Sequence, residues 1–432
     1  MSILSYFEDV PCGINDGSAK ASLREKISGL QENLIRIPSG NPDDVVDTFL
    51  DSYKELRNNG YTVSPNSAFA CLFDLLVSAK YAERLVSDDG WTYCAGHDIN
   101  EGPSLYFPYM KTCPRCSVSK GIKPKIDSNK PTSGSIGDIS ENSNYQIFRH
   151  ILSHISPDVK MGKDKRTRSD VDVVIYNNDR LILGETKSSP LVLYPLEIQL
   201  GRQLTEVKEG ESVGKTDHTP ATKDVMDNDI YMFIPHRAER IPLGDASGDD
   251  WPYEGINEYI DEPSNIRFLI DAWNELYDVY KSNPRGDEDL KRYILCGNGS
   301  SLDDASTSID DSKNKPGMDR TDDIKKGTYQ SLKYGTYFKE KSENRKISAV
   351  IATNMFPLRT YKRYLAEMVR VVWTKEKYSQ NVNIDLDNYD LKAFKKDDLF
   401  YLYDAIIGLS ESIYMDEGIK SLISIDEYMS QE

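Results

Sequence analysis

Apolar residues recur along this chain at two spacings, and the places where the spacing changes outline its elements. From Ser67 to Leu85 (SAFACLFDLLVSAKYAERL), Phe69, Leu72, Leu75 and Leu76 fall on one side of a helical repeat, which predicts an amphipathic helix. Weaker helical periodicity covers 20–35 and 43–58. Glu141 to Ser153 again reads as a helix, with Ile147, Phe148 and Ile151 on its apolar side. The pattern then shifts to strands at Val171–Tyr176 and Arg180–Lys187, followed by a predicted helix at Leu193–Val207 and a short apolar strand at Asp229–Pro235. Further on, helices are expected at Ser264–Lys281, 320–340, Leu358–Tyr378 and 397–415, with strands at Arg292–Cys296 and Ile347–Thr353.

This order predicts an α/β fold with a mixed central sheet flanked by helices. Trp91 to Lys125 differs in being rich in Cys, Pro, Gly and aromatics, and 126–139 (IDSNKPTSGSIGDI) reads as a linker. Residues 238–262 are acidic and loop-like, and 297–317 are rich in Gly, Ser and Asp. The expected organisation is therefore a helical N-terminal region (1–88), a small zinc-binding module (89–126), a core (140–240) and a C-terminal α/β region (241–432). With 38% hydrophobic residues and 27 tyrosines, the 432-residue chain has enough apolar surface to build such cores.

The segment 169–189 (SDVDVVIYNNDRLILGETKSS) carries the most chemistry. Asn177, Asn178 and Asp179 are turn formers that tolerate positive φ. A two-residue or a four-residue loop would set Tyr176 opposite Leu181 and Asp172 opposite Glu185; a three-residue loop would spoil that pairing. Opposed residues share a face, with Cβ atoms roughly 5 Å apart, and Lys187 lies on the same face two residues beyond Glu185. The flanks are apolar on both faces, as in central strands. Facing carboxylates in such a setting need a counter-ion. A hard divalent cation such as Mg²⁺ is the natural one. Lys187 would orient or deprotonate a water, or stabilise charge developing on phosphorus.

An Asp, a run of strand residues and then Glu-x-Lys resembles the signature of the PD-(D/E)XK nuclease superfamily. The matching residues here are Asp172 and Glu185-Thr186-Lys187. The Pro before the Asp is replaced: Ser169-Asp170 and Val171-Asp172 stand there instead. Asp172 is preferred as ligand because it opposes Glu185, whereas Asp170 would oppose Lys187. The resemblance spans about 140–235. It implies a restriction-endonuclease-like core, with Glu141 of the preceding helix joining the site and a Gln of the following helix, Gln199 or Gln203, nearby. It also implies a Mg²⁺-dependent, type II restriction enzyme-like endonuclease for double-stranded DNA, with a cognate DNA methyltransferase as functional partner. Cutting both strands needs two sites, so a homodimer is the simplest assembly. Another nuclease of the superfamily, such as a resolvase or a phage-defence effector, is the alternative. Outside enzymes the alternative is a non-catalytic, zinc-containing DNA-binding protein.

Cys94-x2-His97 followed by Cys113-Pro-Arg-Cys116 has the spacing of a closed, structural Zn²⁺ site with four N/S ligands. Cys12, Cys71 and Cys296 have no partner at ligand spacing. The formal net charge of −17 opposes nucleic-acid binding as a sum, but its distribution does not. Residues 111–130 hold six Lys/Arg against Asp127, 160–168 hold five against Asp164, and a third basic stretch runs from Arg359 to Lys377. His150 and His154 share a helical face but lack a third ligand nearby. The opening MSILSYFEDVPCG has no export signal, and no run of 18 apolar residues occurs. A cytoplasmic protein with no membrane role is expected.

Overall fold

The computed structural model describes residues 34–35, 40–85, 91–96, 102–106, 113–120, 133–164, 171–201, 203, 208, 212–213, 229–244, 246–282, 315–339, 346–373 and 400–430. The helix expected at 20–35 lies outside them except for Leu34–Ile35, a short strand (β1). The strand expected at Arg292–Cys296 lies outside them altogether.

Helices α1 (Asn41–Asn58) and α2 (Pro65–Leu85) follow β1. Val45, Val46, Phe49, Leu50 and Tyr53 form the buried stripe of α1. A hairpin of β2 (Trp91–Cys94) and β3 (Ser104–Tyr106) leads to the short α3 (Pro114–Ser119) and the long α4 (Ser133–Ile155). Helix α4 begins inside the stretch that composition marks as linker, because buried Ile136 extends the apolar stripe of Ile147 and Ile151 backwards.

Next come β4 (Lys160–Asp164), β5 (Val173–Tyr176), β6 (Arg180–Thr186), β7 (Leu196–Gln199), β8 (Ser212–Val213), β9 (Ile230–Ile234) and β10 (Glu239–Gly244). The chain continues through α5 (Tyr253–Ile260), α6 (Pro263–Ser282), α7 (Thr321–Phe338), β11 (Lys346–Thr353), α8 (Tyr361–Tyr364), β12 (Val372–Trp373), β13 (Phe400–Tyr401), β14 (Ala405–Gly408), β15 (Ile413–Tyr414), α9 (Glu417–Ile423) and α10 (Ile425–Ser430).

The strands form two large sheets and a small ribbon. One sheet is mixed, in the order β1-β4-β5-β6-β11-β14-β15. Its β4, β5 and β6 form an antiparallel meander, while β11 runs parallel to β6 and β14 parallel to β11. Helix α7 makes the crossover from β6 to β11, which a parallel pair requires. The second sheet, β10-β9-β7-β3-β2-β8, is antiparallel throughout. Helices cover the mixed sheet on both faces. Val173, Ile175, Ile182 and Val350 join a core with Ile147 and Ile151 of α4, Phe69 and Leu72 of α2, and Leu196 and Met232 of the second sheet. On the other face Ile351 and Ile406 pack with Met318, Ile324 and Leu365.

Four expectations are corrected. The predicted helix at Leu193–Val207 is the strand β7 where it is described at Leu196–Gln199. Leu196, Ile198 and Leu200 alternate with Glu197 and Gln199, a period-two signal over five residues that the helical reading does not fit. The acidic stretch 238–262 holds β10 and α5; in β10 the buried Ile241 and Leu243 alternate with the more exposed Arg240, Pro242 and Gly244. The long helix expected at Leu358–Tyr378 is reduced to α8, a 3-10 turn (Met368–Arg370) and β12 within the described residues. The helix expected at 397–415 is β13, β14 and β15, with Ala405–Gly408 buried in the mixed sheet beside β11.

Candidate functional site

The β5–β6 hairpin realises the two-residue loop. Tyr176 pairs with Leu181 and Val173 with Gly184, a register that continues to place Asp172 beside Glu185. The loop is closed by a side chain and not by positive φ. Asn177 Oδ1 accepts from the backbone N–H of Asp179 (3.0 Å) and of Arg180 (2.8 Å). Among the described non-glycine residues only Ala238 has a positive φ. Glycine is required inside β6 itself. A Cβ on Gly184 would come within 2.5 Å of Val173 Cγ1 and 3.3 Å of Val350 Cγ2, so β5, β6 and β11 close tightly just before Glu185.

Three predicted residues converge at the end of this strand. Glu185 is buried at 5% exposure, and Lys187 Nζ donates to its Oε1 and to the Thr186 carbonyl (3.0 Å). The same ammonium lies 4.0 Å from Asp172 Oδ2. That oxygen accepts from the Thr186 N–H at 2.8 Å, which fixes the carboxylate against β6. Burial pulls the Lys187 ammonium down, but the Glu185 and Asp172 charges outweigh it and hold its pKa above the ordinary lysine value. In this arrangement the lysine head is placed to orient a ligand or to offset negative charge beside Glu185 and Asp172. Asp170 lies outside the described residues.

Glu141, on α4, reaches the site from the other face of the sheet. It pairs with Lys163 of β4 at 2.7 Å, and Lys163 also donates to Asn142 Oδ1 at 2.9 Å. Burial raises the Glu141 carboxyl, the charge of Asp172 raises it further, and Lys163 opposes both. A narrow cleft with about 10 Å³ of space lies between α4 and the sheet, lined by Glu141, Asn144, Lys163, Asp172 and Thr186 among others, but not by Glu185 or Lys187. Asn144 Nδ2 donates to Ser188 Oγ, tying α4 to the chain just past Lys187. Asp172 thus stands where the two faces meet, with Glu141–Lys163 on one side and Glu185–Lys187 on the other.

The glutamines expected on a following helix are not there. Gln199 is on β7, paired with Ser104, and its Oε1 accepts from Arg240 at 3.2 Å, while Gln203 is exposed outside any helix. The helix that packs on β6 is α7, with Gly327 against the Lys187 stem. Lys163 and Asp323 of α7 are the charged neighbours that the sequence reading missed. Lys163 lay in a basic run read only as a whole, and Asp323 is brought in from far along the chain by the crossover.

The described part of the second expected site is three cysteines. The sulfurs of Cys94, Cys113 and Cys116, all buried, lie within 4.8 Å of one another and could hold a metal ion. Cys94 ends β2, Cys113 precedes α3 and Cys116 sits inside it. Burial and the neighbouring Cys94 raise both the Cys113 and the Cys116 thiol. His97 lies outside the described residues. Arg115, expected to face a polyanion, instead reaches the buried Glu197 of β7 at 3.5 Å, beside Arg240 at 2.9 Å.

His150 is held on both ring nitrogens, by Asp47 Oδ1 at 2.8 Å and the Tyr428 hydroxyl at 3.0 Å, so packing accounts for it. Arg359, in the third basic stretch, donates to the Tyr280 carbonyl and stacks on that ring at 4.2 Å. No described helix is long and apolar enough to cross a membrane. Compared with known proteins, the chain matches no family model, no curated protein and no solved structure.

Proposed function

We propose that this chain is a Mg²⁺-dependent endonuclease that hydrolyses phosphodiester bonds in double-stranded DNA, with a restriction-endonuclease-like core and type II-like site specificity. The observation that carries the reading is the meeting of Asp172, Glu185 and Lys187 at the end of a covered central strand. Two carboxylates on one spot of a sheet repel each other and are retained at a cost. They have the hard oxygen donors that Mg²⁺ takes.

In this reading Asp172 and Glu185 hold the ion, and Glu141 contributes from α4. Bound there, the ion would polarise the phosphodiester and lower the pKa of an attacking water. The Thr186 N–H keeps Asp172 aimed at that place. Lys187, as an ammonium, offsets the charge that builds on the phosphoryl oxygens. Lys163 restrains Glu141 and places a second positive charge at the cleft. The cysteine cluster would hold Zn²⁺ as a structural ion, with His97 as fourth ligand. A tetrahedral Zn²⁺ with bonds of about 2.3 Å separates its sulfurs by about 3.8 Å, and Cys94 Sγ lies 3.7 Å from Cys116 Sγ.

The test is incubation of the full chain with unmethylated phage DNA, with and without Mg²⁺. Discrete Mg²⁺-dependent bands are expected from the native chain, and losses of at least about a hundredfold from Asp172→Ala, Glu185→Ala and Lys187→Ala. A smear would keep the nuclease and remove site specificity. Full cleavage by Glu185→Ala would overturn the assignment. DNA binding with no cleavage under any divalent metal would favour a zinc-containing DNA-binding protein.

A further inference from the structure

We propose that Asp323 is a positioning residue of this site: it is the second seat of the Lys187 ammonium, taken when a divalent cation occupies Asp172 and Glu185. The proposal rests on the metal-binding reading of those carboxylates. As the site stands, the ammonium is their counter-ion, within hydrogen-bonding reach of Glu185 and 4.0 Å from Asp172. A doubly charged cation and an ammonium cannot share that place, because like charges a few ångströms apart in a partly buried site repel strongly. The lysine head must therefore move when the cation arrives.

Its stem decides the direction. The Lys187 N–H is bonded to the Ala352 carbonyl at 2.9 Å, so the backbone is fixed between β6 and β11. A Cβ on Gly327 of α7 would lie 3.6 Å from Lys187 Cγ and 3.5 Å from Ile351 Cγ2, so α7 runs directly over the lysine stem. Asp323 is four residues before Gly327 and shares its face of α7. The crossover makes α7 run antiparallel to β6, so one turn towards its N-terminus is a step beyond the end of β6, where the lysine head lies. Asp323 and Lys187 lie in each other's field, and Arg320 Nη1 steadies the aspartate at 3.3 Å from Oδ2. A lysine leaving Glu185 thus meets an oriented carboxylate on the helix that already covers it.

The experiment is Mg²⁺ titration into the full chain by calorimetry, without DNA, across a double-mutant cycle of D323N and K187M. Mg²⁺ prefers oxygen donors, so the cysteine cluster does not compete for it. D323N is expected to weaken Mg²⁺ binding roughly tenfold, a size usual for coupled neighbours. K187M has no ammonium to displace and should bind Mg²⁺ more tightly, and adding D323N to it should change little. An equal loss in both backgrounds would mean that Asp323 acts on the cation without the lysine, which overturns the proposal. Mg²⁺ uptake by the native chain with no loss in D323N overturns it alone. No uptake by the native chain, indistinguishable from E185Q, removes the metal reading and this proposal together.

Discussion

Within a few ångströms of the end of β6, one ammonium answers two carboxylates, and the backbone around them is as specific as the charges. Gly184 precedes Glu185 and lies between Val173 and Val350 with no room for a methyl group. Gly184→Ala should cost about 1–3 kcal/mol of stability, as overpacking does, measured by urea denaturation. Cleavage should fall as well if the strand end shifts. The hairpin was legible residue by residue. The apolar runs Val173–Tyr176 and Leu181–Leu183 and the Asn-Asn-Asp turn between them set the register that the structure has. What could not be read was the direction in which the Lys187 pKa is shifted. That depends on how its burial balances against Glu185 and Asp172, which is a matter of distance in space.

At the scale of elements, β6 is anchored at both ends by charge. Its first residue, Arg180, donates to Asp416 Oδ2 at 2.8 Å, and Lys346 of β11 reaches the same oxygen at 2.7 Å. Asp416 in turn caps α9 by accepting from the Gly418 N–H at 2.9 Å. Burial alone would raise the Asp416 carboxyl, but Arg180 and Lys346 outweigh it and hold it at about 2. A carboxylate whose folded pKa lies below its unfolded value of about 3.9 stabilises the fold above that pH. The contribution, about 2 kcal/mol, is lost as pH falls from about 4 through about 2. Asp416→Asn should therefore lower stability near neutral pH and flatten its acid limb over that window, read from thermal melts at stepped pH. Long helices such as α6 and α7 were legible as elements, and α2 was legible as a helix although it is buried on every side from Ala68 to Ala79 and not amphipathic as its sequence predicts. Segments 193–207 and 397–415 were not: Leu196–Leu200 alternates with period two over only five residues, and Ala405–Leu409 is a short apolar run with no period.

On the scale of the whole molecule, the expected zinc module and the second sheet are one structure. β2 and β3 stand in the same sheet as β7, β9 and β10, and Arg115 of the cysteine knuckle is tied to Glu197 of β7. Cys113→Ser should release one zinc per chain by elemental analysis and lower the melting temperature, because the knuckle would lose its centre and Glu197 one of its arginines. An unchanged melt with no zinc in either protein would discard the metal. The spacing of the cysteines announced such a cluster, but nothing in the sequence announced the sheet it belongs to, whose strands come from four separate stretches of chain. The mixed sheet has a related property with a consequence for synthesis. β6 and its neighbour β11 are hydrogen-bonded, yet the chain runs from Thr186 to Lys346 before it returns. At ribosomal speeds that interval lasts on the order of ten to thirty seconds. Through it the emerging meander keeps an unpaired edge, and α7, which covers Lys187, does not yet exist. A nascent chain therefore carries its acidic pair well before it can clasp the lysine, and assembly of the site waits for the later part of translation.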